Sequence, residues 1–143
     1  FARKAGMNFM VDLTDLKLEY QGSTIATRRS FVQKNPQLAT RALRAIVRGV
    51  NLFKTRKEET MRILAKFLGT KDREALEESW DYAAKMPAKP YAVESAVQAV
   101  LEHLTESQPR FAQHRPGEFI DARLLSEIDK SGYIDRLYGA PIK

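Results

Sequence analysis

The sequence predicts a mostly α-helical chain, with two short strands at the N-terminal end followed by about five helices. Three observations carry that reading. From Asn35 onward, apolar residues recur at spacings of three and four, the signature of one buried helix face. Prolines at 36, 87, 90, 109 and 116 fall between those amphipathic runs, where a helix has to start or stop. Short apolar or β-branched runs of strand length occur only before residue 28.

The composition fits a globular protein, since 43% hydrophobic and 29% charged residues are ordinary values for one. The formal charge of +6, from 24 basic and 18 acidic residues, is spread along the chain. A balance of this kind permits an anionic partner without demanding one. The absence of cysteine excludes disulfides, thiolate zinc sites and cysteine nucleophiles. No apolar run approaches the roughly 20 residues needed to cross a bilayer.

Met7 to Leu13 is an apolar run of strand length, and Ser23 to Thr27 is rich in β-branched residues and reads as a second strand. Two short strands do not make a stable sheet alone, which predicts further partners outside this sequence. The opening Phe1-Ala2-Arg3-Lys4-Ala5-Gly6 has neither an initiator Met nor a signal pattern, and a piece of a longer protein is the expectation. Asn35-Pro36 is a helix start, with Asn35 capping and Pro36 at the first position. Ala39, Leu43, Ile46, Val50 and Phe53 then form its apolar stripe. Thr55-Arg56-Lys57-Glu58 has the capping-box pattern and opens the next helix, with Met61, Leu64, Phe67 and Leu68 apolar and Gly69 as its stop. Thr70 or Asp72 opens a third, carrying Leu76, Trp80 and Ala83 and ending before Pro87. A fourth carries Val93, Val97, Val100, Leu101 and Leu104. Gln108 to Pro116 reads as an irregular polar connection. A fifth helix is predicted from about Phe119 to Lys130, burying Ile120, Leu124 and Ile128, with one more turn from Tyr133 to Leu137.

Few residues offer chemistry. His103 and His114 are the only histidines, and a metal site needs three or four convergent ligands. Ser30, Ser79 and Ser126 sit in no nucleophile elbow, and no glycine-rich phosphate loop is present. The expectation is therefore no enzyme activity, no cofactor and no metal. Arg41, Arg44 and Arg48 share one helix face, read as opposite the apolar stripe, with Arg28 and Arg29 before it and Lys54, Arg56 and Lys57 after it. Such a face is either a solvated surface or a phosphate-binding one. The segment from Ile63 through Gly69 and Thr70 also mimics a helix-turn-helix. Its would-be recognition helix carries Asp72, Glu74, Glu77, Glu78 and Asp81 against a lone Arg73, and would repel DNA. No nucleic-acid partner is expected from it.

Taken in order, the segments Gly6-Met7-Asn8-Phe9-Met10-Val11-Asp12-Leu13, Asp15-Leu16, Tyr20-Gln21-Gly22, Thr27-Arg28-Arg29-Ser30-Phe31-Val32 and Lys34-Asn35-Pro36, with Ala45 and Gly49 in the helix that follows, make a pattern. Lys89-Pro90-Tyr91, Val97 to Leu101, Phe119-Ile120-Asp121 with Leu125, and Lys130 to Tyr138 continue it. The pattern resembles the C-terminal part of the nitrate/sulfonate/taurine/thiamine-precursor type of ABC-transporter substrate-binding protein, over nearly the whole chain. The resemblance implies an α/β periplasmic binding protein type II fold in two lobes, with a complete chain roughly twice this length. It places residues 1–33 at the end of the second lobe and the crossing strand, and 34–143 in the C-terminal helical part of the first lobe. It further implies periplasmic localisation, capture of a small organic or inorganic solute, anionic or not, by lobe closure, and delivery to a membrane permease. The family's enzyme relatives, which make a thiamine pyrimidine, carry a cysteine-rich motif that this chain lacks.

Four residues near the implied crossing are candidate cleft residues. Asp12 and Asp15 sit where the first predicted strand ends, and strand ends commonly face the ligand in open sheets. Thr27 and Arg28 lie at the crossing itself, where a guanidinium can pair with a sulfonate or carboxylate. A chain without the remaining strands is expected to self-associate through uncovered apolar faces. The alternative is a helical regulatory or interaction domain that uses the Arg41–Arg44–Arg48 face.

Overall fold

Residues 6–8, 10, 11, 21 and 23–139 are described by a computed structural model, and among them the secondary structure is seven α-helices and two 3-10 segments, with no strand. Contacts divide the chain into two compact units, each discontinuous in sequence. One, here the α2 unit, is Thr27–Pro90 with Arg123–Lys143; the other, the α5 unit, is Phe1–Ala26 with Tyr91–Ala122.

Neither predicted strand is present among the described residues. Thr24 to Thr27 form no ladder, and Ile25 is exposed. Met7, Asn8, Met10 and Val11 are likewise outside any strand, and the rest of that run lies outside the described residues. The physical reason is the one anticipated for isolated strands: a ladder needs a neighbour.

In the α2 unit the chain turns helical earlier than predicted, at α1 (Arg29–Lys34). Pro36 then disfavours helical backbone at the residue before it, and Asn35 sits at φ −132°. That break separates α1 from α2 (Pro36–Thr55), whose first position is Pro36 as expected. Asn35 does not cap α2 with its side chain; its Nδ2 donates back to the Phe31 carbonyl of α1 at 3.3 Å. The predicted apolar stripe of α2 is half-buried throughout, but the deepest residue is Val47, only 1% exposed. Val47 becomes central because α2 is packed by four neighbours, α1, α3, α6 and α7.

The capping box at the start of α3 (Lys57–Leu68) does not form. The Thr55 hydroxyl donates to the Asn51 carbonyl of its own helix at 2.8 Å, and Arg56 is the N-cap residue, without a side-chain cap. A Thr still on the last turn of one helix has a nearby i−4 carbonyl that competes for its hydroxyl. The stop at Gly69 is as predicted, with φ +65°, a backbone region L side chains rarely adopt. Asp72 caps α4 (Arg73–Ala83), accepting from the Ala75 N–H at 3.3 Å.

The ends of α2 and α4 satisfy each other. Trp80 Nε1 donates to the Phe53 carbonyl at 2.8 Å, and Lys54 Nζ donates to the carbonyls of Ala84 and Met86. Carbonyls near a helix C-terminus lack intrahelical partners, so these side chains occupy donors' places there. Lys54 also puts a positive charge at the C-terminal end of α4.

The fifth predicted helix is shorter than expected. α6 runs Arg123–Lys130, and Ile120 lies before it, half-buried and in the other unit. Leu125 and Ile128 are its buried pair, and Leu124 is only half-buried. Leu125 and Ile128 are three apart and share a face, so the shorter helix is turned to bury that pair. Gly132 at φ +69° then turns the chain into α7 (Tyr133–Tyr138), which buries Ile134 completely. Lys89 bonds Asp129 of α6 at 2.8 Å and Asp135 of α7 at 3.2 Å, clamping the irregular segment after α4 to both helices. Its pKa is raised, first by the bond to Asp129, against an opposing effect of burial.

The α5 unit is built on α5 (Glu94–Ser107), whose Ala96 and Leu101 are buried. The Gln21 N–H donates to the Ala96 carbonyl at 3.3 Å. The connection predicted as irregular instead forms 3-10 turns at Pro109–Gln113 and Pro116–Glu118, each opened by its proline and packed on α5.

Candidate functional site

Of the four candidate cleft residues, Asp12 and Asp15 lie outside the described residues. Thr27 and Arg28 are both exposed. Arg28 is the extended N-cap of α1, its carbonyl accepting from Phe31 N–H at 2.9 Å and Val32 N–H at 3.3 Å. Neither side chain makes a hydrogen bond or ion pair among the described residues. The Arg28 guanidinium therefore keeps its full donor set.

The arginine face of α2 is exposed, as the spacing predicts, but it does not stand alone opposite the packed side. Arg41 and Arg44 line a cleft of about 410 Å3 together with Leu124 and Glu127 of α6. The Arg44 guanidinium lies 5.3 Å from the centre of the Tyr133 ring of α7, a cation–π arrangement that orients it. Arg48 lines a second cleft of about 270 Å3, with Arg56, Glu59 and Leu137 among its other walls. The register of the arginines was legible in the sequence, whereas the clefts depend on where α6 and α7 dock. Carboxylates interleave with the guanidiniums in both clefts, which weakens any tracking of a phosphate backbone.

The acidic helix that argued against DNA binding is tied into local ion pairs. Arg73 bonds Glu58 at 3.0 Å and Glu77 at 3.1 Å, and the Glu58 charge is the largest influence raising its pKa. Lys57 lies 3.8 Å from Asp81 and 4.6 Å from the Trp80 ring centre. Glu58, expected to complete a capping box, thus serves α4 instead.

The two histidines do not converge. His103 is exposed, 3.7 Å from Glu106. His114 Nδ1 lies 2.9 Å from Glu118 Oε2, while Glu118 Oε1 accepts from the Arg115 N–H at 2.9 Å. Those two bonds, His114 first, hold the Glu118 carboxyl below the usual carboxylate range. The His114 ring sits between Phe111 and Phe119, at centroid distances of 6.2 and 5.7 Å. Among the described residues no three His, Cys, Asp or Glu side chains come together as metal ligands, and no helix is long and apolar enough to cross a membrane.

The polar feature that the sequence did not signal is Tyr138. Its hydroxyl is buried and has no hydrogen-bond partner among the described residues. Burial raises its pKa, with the nearby Asn51 side chain acting in the opposite direction. The Asn51 Nδ2 donates instead to the Leu137 carbonyl at 3.1 Å. Comparison of this chain with protein-family models, curated proteins and solved structures found no match.

Proposed function

We propose that this chain is the C-terminal part of a periplasmic substrate-binding protein of an ABC importer, of the nitrate/sulfonate/taurine/thiamine-precursor type. The observation that carries the reading is the order and spacing of its segments, from Gly6–Leu13 through Thr27–Val32 to Lys130–Tyr138. The path of the chain supports it. The chain leaves one compact unit for the other at Ala26–Thr27, at the edge of the segment that the resemblance assigns to the lobe crossing. It returns after Pro90 and leaves again after Ala122, two further crossings that the resemblance, which keeps residues 34–143 in one lobe, does not imply.

In this reading the protein performs no chemical step. It captures a small, anionic solute between two lobes, and closure creates the form that the permease accepts. Arg28 supplies the anion contact, because an exposed guanidinium offers two parallel donors to a sulfonate or carboxylate.

An immunoblot of osmotic-shock and cytoplasmic fractions from the source cells tests localisation and chain size together. A band near twice this chain's mass in the shock fluid is expected. A band at 16.3 kDa confined to the cytoplasm would overturn the proposal. With the mature protein, thermal-shift screening of nitrate, sulfonates and pyrimidines is expected to find one stabilising class. Arg28→Ala is then expected to weaken its binding roughly tenfold or more.

A further inference from the structure

The smaller cleft lies wholly within the α2 unit, and three elements build it. Arg48, Asn51 and Leu52 come from α2, Arg56 and Glu59 from the start of α3, and Leu137 from α7. Its volume of about 270 Å3 falls just below the roughly 300–1,000 Å3 of pockets that hold drug-sized ligands, and so suits a smaller metabolite.

Its charged groups are unspent. Arg48, Arg56 and Glu59 form no ion pair or side-chain hydrogen bond among the described residues, although all three border one cavity. Guanidiniums bind carboxylates through paired parallel donors, so two of them lining one cleft favour an anionic head group. Glu59 has the opposite preference, repelling a second anion and accepting from an ammonium. Leu52 and Leu137, also in the lining, are half-buried and supply apolar surface. The wall is held in place as well, because Asn51 Nδ2 bonds the Leu137 carbonyl and ties α2 to α7 at the cleft.

We propose that this cleft binds a small amphoteric metabolite of the ω-amino acid class. Its carboxylate is held by Arg48 and Arg56, its short aliphatic stem lies over Leu52 and Leu137, and its terminal ammonium meets Glu59. The site shares no residue with the implied lobe crossing at Thr27 and Arg28, and it stands or falls independently of the transport reading.

The test uses the 143-residue chain with 5-aminovalerate, glutarate and inorganic phosphate as probes, followed by calorimetry and amide NMR. Glutarate matches 5-aminovalerate in chain length but carries a carboxylate where the other has its ammonium. Saturable binding of 5-aminovalerate is expected, with shifts at Arg48, Arg56, Glu59 and Leu137, and with glutarate at least about tenfold weaker. Glu59→Gln is expected to erase that preference, and Arg48→Ala or Arg56→Ala to weaken both ligands. Arg48→Lys keeps the charge but loses the fork, and should fall between Ala and the native residue. Because both arginines are exposed, Trp80 fluorescence should show unchanged unfolding in these variants. Absence of saturable 5-aminovalerate binding up to about 10 mM would overturn the proposal, as would binding that survives loss of both arginines. Equal affinity for glutarate, or tighter binding of phosphate, would overturn it too by showing a plain anion site.

Discussion

The Tyr138 hydroxyl is shielded from water and makes no hydrogen bond of good geometry among the described residues, while Asn51 beside it gives one N–H to the Leu137 carbonyl and opposes the rise in the Tyr138 pKa. A buried polar atom left unsatisfied costs about 1–3 kcal/mol, so deleting it should help rather than harm. Tyr138→Phe is expected to stabilise the chain by about 0.5–1 kcal/mol, read from urea unfolding; a loss of stability would mean the hydroxyl has a partner. Glu118 gives a second residue-scale prediction, this one in pH. Its folded pKa is lowered, chiefly by the bond with His114, so its contribution is present above the unfolded value of about 4.3. That contribution is lost as pH falls through the lower folded value. In a carboxyl-detected NMR titration His114→Ala should move the Glu118 midpoint up toward the ordinary range, and an unmoved midpoint would assign the shift to the Arg115 N–H instead. Lys89 works with the opposite sign: its raised pKa makes its contribution complete at neutral pH and lost only as pH climbs through the folded value.

At the scale of elements, α6 and α7 are short, and their place in the fold comes from what they bury. Ile128 is 1% exposed and Ile134 is fully buried, so truncating either removes packing that an eight- or six-residue helix cannot replace. Ile128→Ala is expected to cost about 2–5 kcal/mol, whereas Leu124→Ala, at the edge of the same helix, should cost clearly less. Comparable losses in a denaturant series would show that α6 is seated on the other face. Periodicity located the helices of this protein well, because a stripe of apolar residues is a property of one segment: α2, α3, α4 and α5 lie where the spacing put them. Caps were less legible. Thr55 and Asn35 have the right chemistry for capping, yet each bonds backward, to Asn51 and to Phe31, because a carbonyl of the preceding helix lies within reach. Asp72 does cap, since the turn at Gly69 separates it from the helix before. The site followed the same division. The spacing of Arg41, Arg44 and Arg48 was readable along the chain, but Glu127, Tyr133 and Leu137, which complete the clefts, come from more than eighty residues away.

For the molecule as a whole, the consequence of discontinuity is that the α2 unit cannot be finished until the last helices are made. Leu125, Ile128 and Ile134 all belong to it, and all three are buried. At about 1.5–3 kcal/mol for each buried side chain, a chain ending at Ala122 forgoes an amount comparable to the 5–15 kcal/mol that keeps a domain folded. Such a truncation should lose cooperative unfolding. The reverse operation is more informative. Tyr91–Ala122 contributes none of the buried side chains of the α2 unit, and Lys89, two residues before it, already bonds Asp129, seven residues after it. Replacing Tyr91–Ala122 with a short Gly/Ser linker should therefore leave the α2 unit able to fold, since loop closure changes by only about 0.6 kcal/mol for each doubling in length. The single tryptophan reports on this directly, because Trp80 lies in the same unit and bonds the end of α2 through Phe53. A cooperative urea transition in Trp80 fluorescence, with a midpoint close to that of the intact chain, would make the α2 unit an autonomous folding unit. A broad or absent transition would mean that its stability depends on the α5 unit, and the cleft at Arg48 should then be studied only in the intact chain.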